Sequence, residues 1–254
     1  MSVQPQSRPL PARSHRNRNI LLVAIAVVVI AGIAAGGYGL WYILIGPSAP
    51  GAVNAGAPAI PAGAALPAPA TLDGTWNVDT SMGTVGDGTA SFAGFRVQEQ
   101  LVGVGGHTAV GRSTGVTGSM TLTGAQVSNV QMTVDMTALH SDNDQRDGQL
   151  KTQAIETNNF PTSTFKLSQP MDLGTLPADG KVVSVNATGA LTLHGITKSV
   201  TISLQAVRQR GIIAVTGTLP IVFSDYSIQK PNSFSVLSVD DHGIMELHLL
   251  FTHA

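Results

Sequence analysis

Beyond residue 72 the chain alternates apolar and polar positions with a period of two. In "VQMTVDM", Val130, Met132, Val134 and Met136 fall on one face and Gln131, Thr133 and Asp135 on the other; "VTISLQA" repeats the pattern with Val200, Ile202, Leu204 and Ala206. Successive side chains of an extended strand point to opposite faces, so this pattern predicts strands buried on one side. The same reading predicts strands at 75–79, 93–101, 115–123, 164–168, 182–193, 212–220 and 245–252. Turn-forming pairs such as Asp87-Gly88, Gly124-Ala125 and Asp179-Gly180, and the triplet Asp241-His242-Gly243, separate many of them. Residues 144–156 are the one stretch that reads as helix. Strands with one apolar face and a single helix to cover them must hide that face against each other, and closure into a barrel also removes the sheet edges. The predicted class is therefore all-β, an antiparallel barrel of about eight strands, wide enough inside for side chains or one slender ligand.

The pattern changes ahead of the barrel. Residues 20–45, "ILLVAIAVVVIAGIAAGGYGLWYILI", carry no charge and are long enough to span a bilayer as a helix. Arg8, Arg13, Arg16 and Arg18 precede this run, whereas Tyr38, Trp41 and Tyr42 lie near its far end. That asymmetry predicts an uncleaved signal anchor with a cytoplasmic tail at 1–19, leaving the C-terminal domain outside the cytoplasm at the cell membrane. Residues 46–71, almost wholly Gly, Ala and Pro, predict an extended, unfolded tether. The domain proper is expected at 72–254.

Charged residues make up 11% of the chain, and the four tail arginines leave ten basic against fifteen acidic residues in the remainder. A domain with that balance has no electrostatic footprint for nucleic acid. The chain has no cysteine, which removes disulfides, thiolate metal sites, thiol catalysis and a lipidated cysteine anchor.

The candidate chemistry is sparse. "SDNDQRDGQLKT", 141–152, gathers Asp142, Asp144, Arg146, Asp147 and Lys151. As a calcium loop it fails, because Arg146 falls where the third ligand belongs and Asp147 where glycine is needed. As an acid/base pair it lacks any neighbouring nucleophile or groove motif. Its residue types fit a helix start: Ser141, Asp142 or Asn143 as cap, Asp144 and Asp147 in the first turn, Leu150 and Ile155 facing inward, and Arg146 paired with Asp142 or Asp147 to pin the helix across a barrel mouth. "GGHTAVGRS", 105–113, comes close to a phosphate-cradling loop, but Arg112 replaces lysine and a strand-like segment follows, so a flexible glycine-rich loop is expected. His107, His140, His194, His242, His248 and His253 never pair at a helical metal spacing, and no Gly-x-Ser-x-Gly elbow occurs. His194 is expected to satisfy backbone groups at a strand end. These residues predict no metal, no cofactor and no catalytic site.

In order and spacing, "LDGTWNVDTS", "FRV" at 95–97, "SDNDQRDGQL", "NNFPTSTFKL" and "GALTLHGITKSVTISL" resemble the YceI-like family. The resemblance covers essentially all of 72–253. It implies a lipocalin-like barrel with a hydrophobic interior that holds a long polyisoprenoid chain, in bacterial envelopes and without agreed enzymatic activity. The sequence departs from the family where Glu99 and Gln149 replace histidines and around 154–156. On this basis the expected partner is an apolar lipid such as a polyisoprenoid or isoprenoid quinone, with the membrane reached through 20–45. The expected ligand-binding residues are Phe95, Val97, Val130, Met132, Val134, Met136, Arg146, Phe165, Leu191, Leu193, Ile202, Leu204, Val215, Phe223, Leu247 and Leu249. Two alternatives stay open: a filled barrel acting as an envelope interaction or stress-response module, and a lipid-modifying enzyme using Asp142–Asp147.

Overall fold

A computed structural model describes residues 50–53, 57–103, 105–231 and 236–254. Its strands are β1 (Gly74–Asp79), β2 (Phe92–Leu101), β3 (Gly105–Ser113), β4 (Val116–Thr123), β5 (Gln126–Asp135), β6 (Leu139–Ser141), β7 (Thr162–Leu167), β8 (Met171–Asp172), β9 (Val182–Leu193), β10 (Ile196–Gln209), β11 (Ile212–Val222), β12 (Val236–Val239) and β13 (His242–His253). One helix, α1 (Asp144–Thr152), lies between β6 and β7. The expected helix ends early because the chain leaves helical geometry at Gln153 and turns through Glu156, whose φ is 49°.

All pairings are antiparallel, and they close. The run β1-β4-β5-β7-β9-β10-β11-β13 returns to β1 through a β1–β13 pairing. One edge of β13 is shared, with β1 along Leu250–His253 and β2 along Ile244–His248. β1 and β2 thus form one stave interrupted by the excursion at 80–91. Likewise β3 with β4, and β5 with β6, act as single staves, giving a closed barrel of eight. Two-residue turns join β9 to β10 at His194-Gly195 and β10 to β11 at Arg210-Gly211; the positive φ at all four positions (51°, 72°, 55°, 73°) matches the right-handed twist of the strands they connect.

Two sequence expectations need correcting. The glycine-rich 105–113 is not a loop but β3, paired with β2 from Ala93↔Ser113 to Leu101↔Gly105. Gly111 is required there because the Phe95 ring crosses it, and a Cβ would stand 2.4 Å from that ring. The second correction concerns the Gly/Ala/Pro segment, which does not hang free as a tether in the residues described.

Residues 50–53 and 57–67 instead lie as a strap along the outside of the barrel. Val53 donates its backbone N–H to Glu246 Oε2 at 3.1 Å, and the carbonyls of Pro50 and Gly51 accept from Arg96 and Arg112. His248 Nε2 lies 2.8 Å from the Ala59 carbonyl, and Leu66 N–H donates to the Arg210 carbonyl at 2.9 Å. Ile60 and Ala64 pack on Val207, Ile212, Ala214 and Leu250. Over Met245–His248 the burial pattern of β13 is consequently inverted, whereas further along the inward Leu249 and Phe251 are buried like the outward Leu250. Its outward-facing Glu246, His248 and Leu250 are 1%, 2% and 0% exposed, whereas the inward-facing Met245 and Leu247 are only half-buried. A stretch of strand covered from outside and less buried on its inner face is what a strapped, partly hollow barrel produces.

His248 lies beneath this strap, with Nδ1 2.8 Å from the Ala90 carbonyl. Burial holds its pKa below the ordinary value of 6.5, and Arg112 pushes the same way against the pull of the two carbonyls and Asp87. Because the unfolded chain then binds the proton more tightly, the neutral imidazole contributes stability above pH 6.5, and this is lost as pH falls through the lower folded value. Thermal melting followed from pH 7.5 to pH 5 should fall more steeply for the native chain than for His248→Gln. A native chain that gains stability on acidification would mean that the two carbonyls hold an imidazolium instead.

The apolar run at 20–45 and the arginines before it lie outside the described residues. Among the described residues no helix is long and apolar enough to cross a membrane.

Candidate functional site: a half-hollow barrel

The inward faces of the staves alternate as the sequence predicts, but they do different things at the two ends of the barrel. At one end they meet each other. Leu191, Ile202, Leu219, Ile221 and Tyr226 form one buried cluster, with Leu193 and Phe223 packed on it. Met136, Leu139, Leu150 and Ala154 form another, joined by Phe95 and Val134. Leu150 reaches this second cluster from α1, and the short 3-10 turn Phe223–Tyr226 carries Phe223 and Tyr226, so these two elements stopper that end.

The helix is held there by the residues that read as its start. Asn143 is the cap, its Oδ1 accepting from Gln145 N–H at 2.9 Å and Arg146 N–H at 3.1 Å. Asp147 accepts from Ser141 N–H at 2.7 Å and lies 3.2 Å from His140 Nδ1. Arg146 is clamped between Asp142 and Glu99. Glu99 in turn lies 3.0 Å from His107 Nδ1. This is an ion-pair network fastening a stopper: the Arg146 guanidinium already has two carboxylates. Among the described residues no group of three His, Cys, Asp or Glu side chains could hold a metal ion. His194, at the same end, places Nδ1 2.8 Å from the Tyr226 carbonyl and Nε2 3.0 Å from Glu156, so it does satisfy a backbone group at a strand end.

At the other end the staves do not fill the lumen, and a cavity of about 130 Å³ remains. Of the sixteen residues expected to bind ligand, eight line it: Val130, Met132, Phe165, Ile202, Leu204, Val215, Leu247 and Leu249. Leu191, Leu193, Val134, Met136, Phe95 and Phe223 belong to the stoppered end, Val97 is buried against Gly243, and Arg146 is in the ion-pair network. The sequence reading missed Met120, Met171, Val183 and Val185, as well as Lys181 and Arg208, all of which line the cavity. Val183 and Val185 share their strand face with Leu191 and Leu193, so the alternation of β9 already contained them. Phe165 divides the two halves. Its ring lies over Gly189, where a Cβ would stand 2.5 Å from it, and this glycine lets the ring lie flat against the wall.

The cavity opens beside the segment between β8 and β9. Leu176 is 39% exposed and Lys181 is also exposed, although both line it. Apart from Lys181 and Arg208 the lining is aliphatic, aromatic or thioether, and among the described residues no other polar side chain is there to orient a sugar, nucleotide or peptide.

A family model described as the YceI-like domain matches residues 76–251, spanning β1 to β13. The chain belongs to the YceI-like family. Among curated relatives of this YceI-like chain, a UPF0312 protein of Vibrio vulnificus is 31% identical over 132 residues, 48% of this chain and 61% of the relative. A UPF0312 protein of Vibrio parahaemolyticus is 30% identical over 125 residues, 45% of this chain and 61% of the relative. The match thus spans less than two thirds of those proteins. Among solved structures, a polyisoprenoid binding domain from Saccharophagus degradans implicated in plant cell wall breakdown superposes with a TM-score of 0.52 at 18% identity, covering 72% of this chain and 99% of that one. At that identity it establishes the shared fold. Within the YceI-like pattern, Glu99 stands where the resemblance leads one to expect histidine, and the structure gives this departure a role as the buried partner of Arg146.

Proposed function

We propose that this YceI-like barrel binds a long apolar lipid, a polyisoprenoid or isoprenoid quinone, by taking one end of its chain into the unfilled half of the lumen. The observation that carries this reading is the cavity itself: enclosed by barrel staves, stoppered at one end, open at the other and lined almost entirely by carbon and sulfur. A hydrocarbon chain has no hydrogen bonds to satisfy, so it needs only a dry, elongated space. Burial at about 25 cal/mol per Å² supplies the affinity. At about 130 Å³ the space is close to the roughly 150 Å³ that accepts one benzene ring, so it takes a terminal segment of such a chain and leaves the remainder in the mouth. Met120, Met132 and Met171 line it, and their unbranched side chains can repack around a longer guest. The polyisoprenoid binding described for the Saccharophagus degradans neighbour supports the same class of ligand.

The test is organic extraction of the protein purified from its native membrane or periplasmic fraction, followed by mass spectrometry. A prenyl lipid in near-stoichiometric amount is the expected result; an extract with no lipid enriched over a control protein would contradict the reading. As part of the same reading, residues 20–45 anchor the chain with the barrel outside the cytoplasm, supported by the uncharged length of that run and the arginines before it. Release of the protein from membranes by alkaline carbonate would overturn the anchor.

A further inference from the structure

We infer that the ligand carries an anionic head, a carboxylate or phosphate, which Lys181 and Arg208 hold at the mouth while the chain points towards Phe165. The inference rests on the apolar-lipid reading and narrows it: it sets the direction in which the chain enters, and an anionic head excludes a quinone, whose head is neutral. Among the described residues that line the cavity these two alone are charged, and both are cations. They reach the rim from neighbouring staves, Lys181 just before β9 and Arg208 near the end of β10, which pair as far as Val182↔Val207. Lys181 has no ion pair among the described residues. Arg208 is engaged on one side only: its Nη1 lies 3.3 Å from Asp179 Oδ1, a carboxylate 56% exposed, whereas its buried Nε has no hydrogen-bond partner. An ion pair with so exposed a carboxylate is worth little, so the guanidinium can exchange Asp179 for a ligand oxygen at the rim.

The opposite end cannot serve. Its cation, Arg146, is already held by Glu99 and Asp142 behind the stopper. A tail inserted from the open end leaves its head level with Lys181 and Arg208. Hydrogen bonds there are charge-assisted, about twice as strong as neutral ones, and because the rim is wet they are screened by salt.

The experiment compares three ligands with one twelve-carbon chain, dodecyl phosphate, laurate and dodecanol, by titration calorimetry on the full-length protein below micelle-forming concentrations. Both anions should bind about tenfold more tightly than the alcohol in low salt, a difference that shrinks in high salt. Lys181→Gln, an exposed change that should leave the melting temperature unaltered, should remove most of the anion preference. Asp179→Asn should strengthen anion binding by freeing Arg208 from its competitor. Inorganic phosphate alone should not displace dodecyl phosphate at matched concentration. Equal binding of alcohol and anions, no response to Lys181→Gln, or full displacement by inorganic phosphate would each overturn the head-group assignment while leaving the apolar cavity standing. If none of the three binds, the cavity reading falls with it.

Discussion

Glu246→Ala is expected to destabilise the barrel by about 3–5 kcal/mol, enough to consume much of the stability of an ordinary domain. Glu246 is 1% exposed, and its two oxygens take Arg96 Nε at 2.8 Å, Arg112 Nε at 3.0 Å and Arg112 Nη2 at 2.9 Å. Arg112 itself is buried and rests 4.1 Å over the Phe92 ring. Removing the carboxylate leaves two guanidinium groups facing each other under the strap, with, among the described residues, the Pro50, Gly51 and Val85 carbonyls to compensate. Urea unfolding measures the loss directly. A Glu246→Met, Arg112→Met double substitution should cost less than Glu246→Ala, because it leaves a single cation, the partly exposed Arg96. A loss under about 1 kcal/mol for Glu246→Ala would show that the strap does not bury this network in solution.

The strap shows where sequence reading ends. Its Gly, Ala and Pro composition offers no apolar periodicity and no charge, so nothing local distinguishes it from a flexible tether. What fixes it is its backbone: carbonyls and one N–H meet Arg96, Arg112, Glu246 and His248, up to 193 positions away. Backbone groups look alike in every sequence. The clue, visible only afterwards, is that β13 places Glu246 and His248 on the face opposite Leu247 and Leu249, where they would otherwise read as solvated.

The barrel staves, by contrast, were legible because each writes its burial pattern into its own residues. β9 and β10 alternate along nearly their whole length, and the turn His194-Gly195 between them is equally local. β3 was missed for a physical reason: its Gly111 accommodates the Phe95 ring across the sheet, a partner the segment does not itself contain. The division of the lumen was illegible for a different reason. Leu191 and Val185 are aliphatic residues on the same face of β9, and which one meets a neighbour and which meets empty space depends on where α1 and the Phe223–Tyr226 turn come to rest.

Ala206→Phe is the second substitution with a large expected effect. Ala206 is half-buried and lines the unfilled half, opposite Val215 on β11. A ring there occupies the space that the lipid chain needs, and a cavity of about 130 Å³ cannot hold both. Co-purifying lipid should fall by at least about tenfold, equivalent to roughly 1.4 kcal/mol of lost binding. The apo barrel should melt within a few degrees of the native chain, because the ring fills a void instead of displacing packed atoms. Undiminished lipid in this variant would place the ligand elsewhere.

The central claim, that one half of the lumen receives a chain and the other is solid, is tested most directly by the methionine methyl groups. Met120, Met132 and Met171 line the cavity, Met136 lies in the stoppered end, and Met82 packs outside against the cluster of Val207, Ile212, Ala214 and Leu250. In protein labelled with carbon-13 at these methyls, a fatty acid bearing a nitroxide at the end of its chain should broaden the first three signals and spare Met136 and Met82. Broadening of Met82 with the lining signals unchanged would put the lipid on the barrel's outer surface. Broadening of Met136 as strong as that of Met132 would show that the stopper opens, and either result would contradict the account.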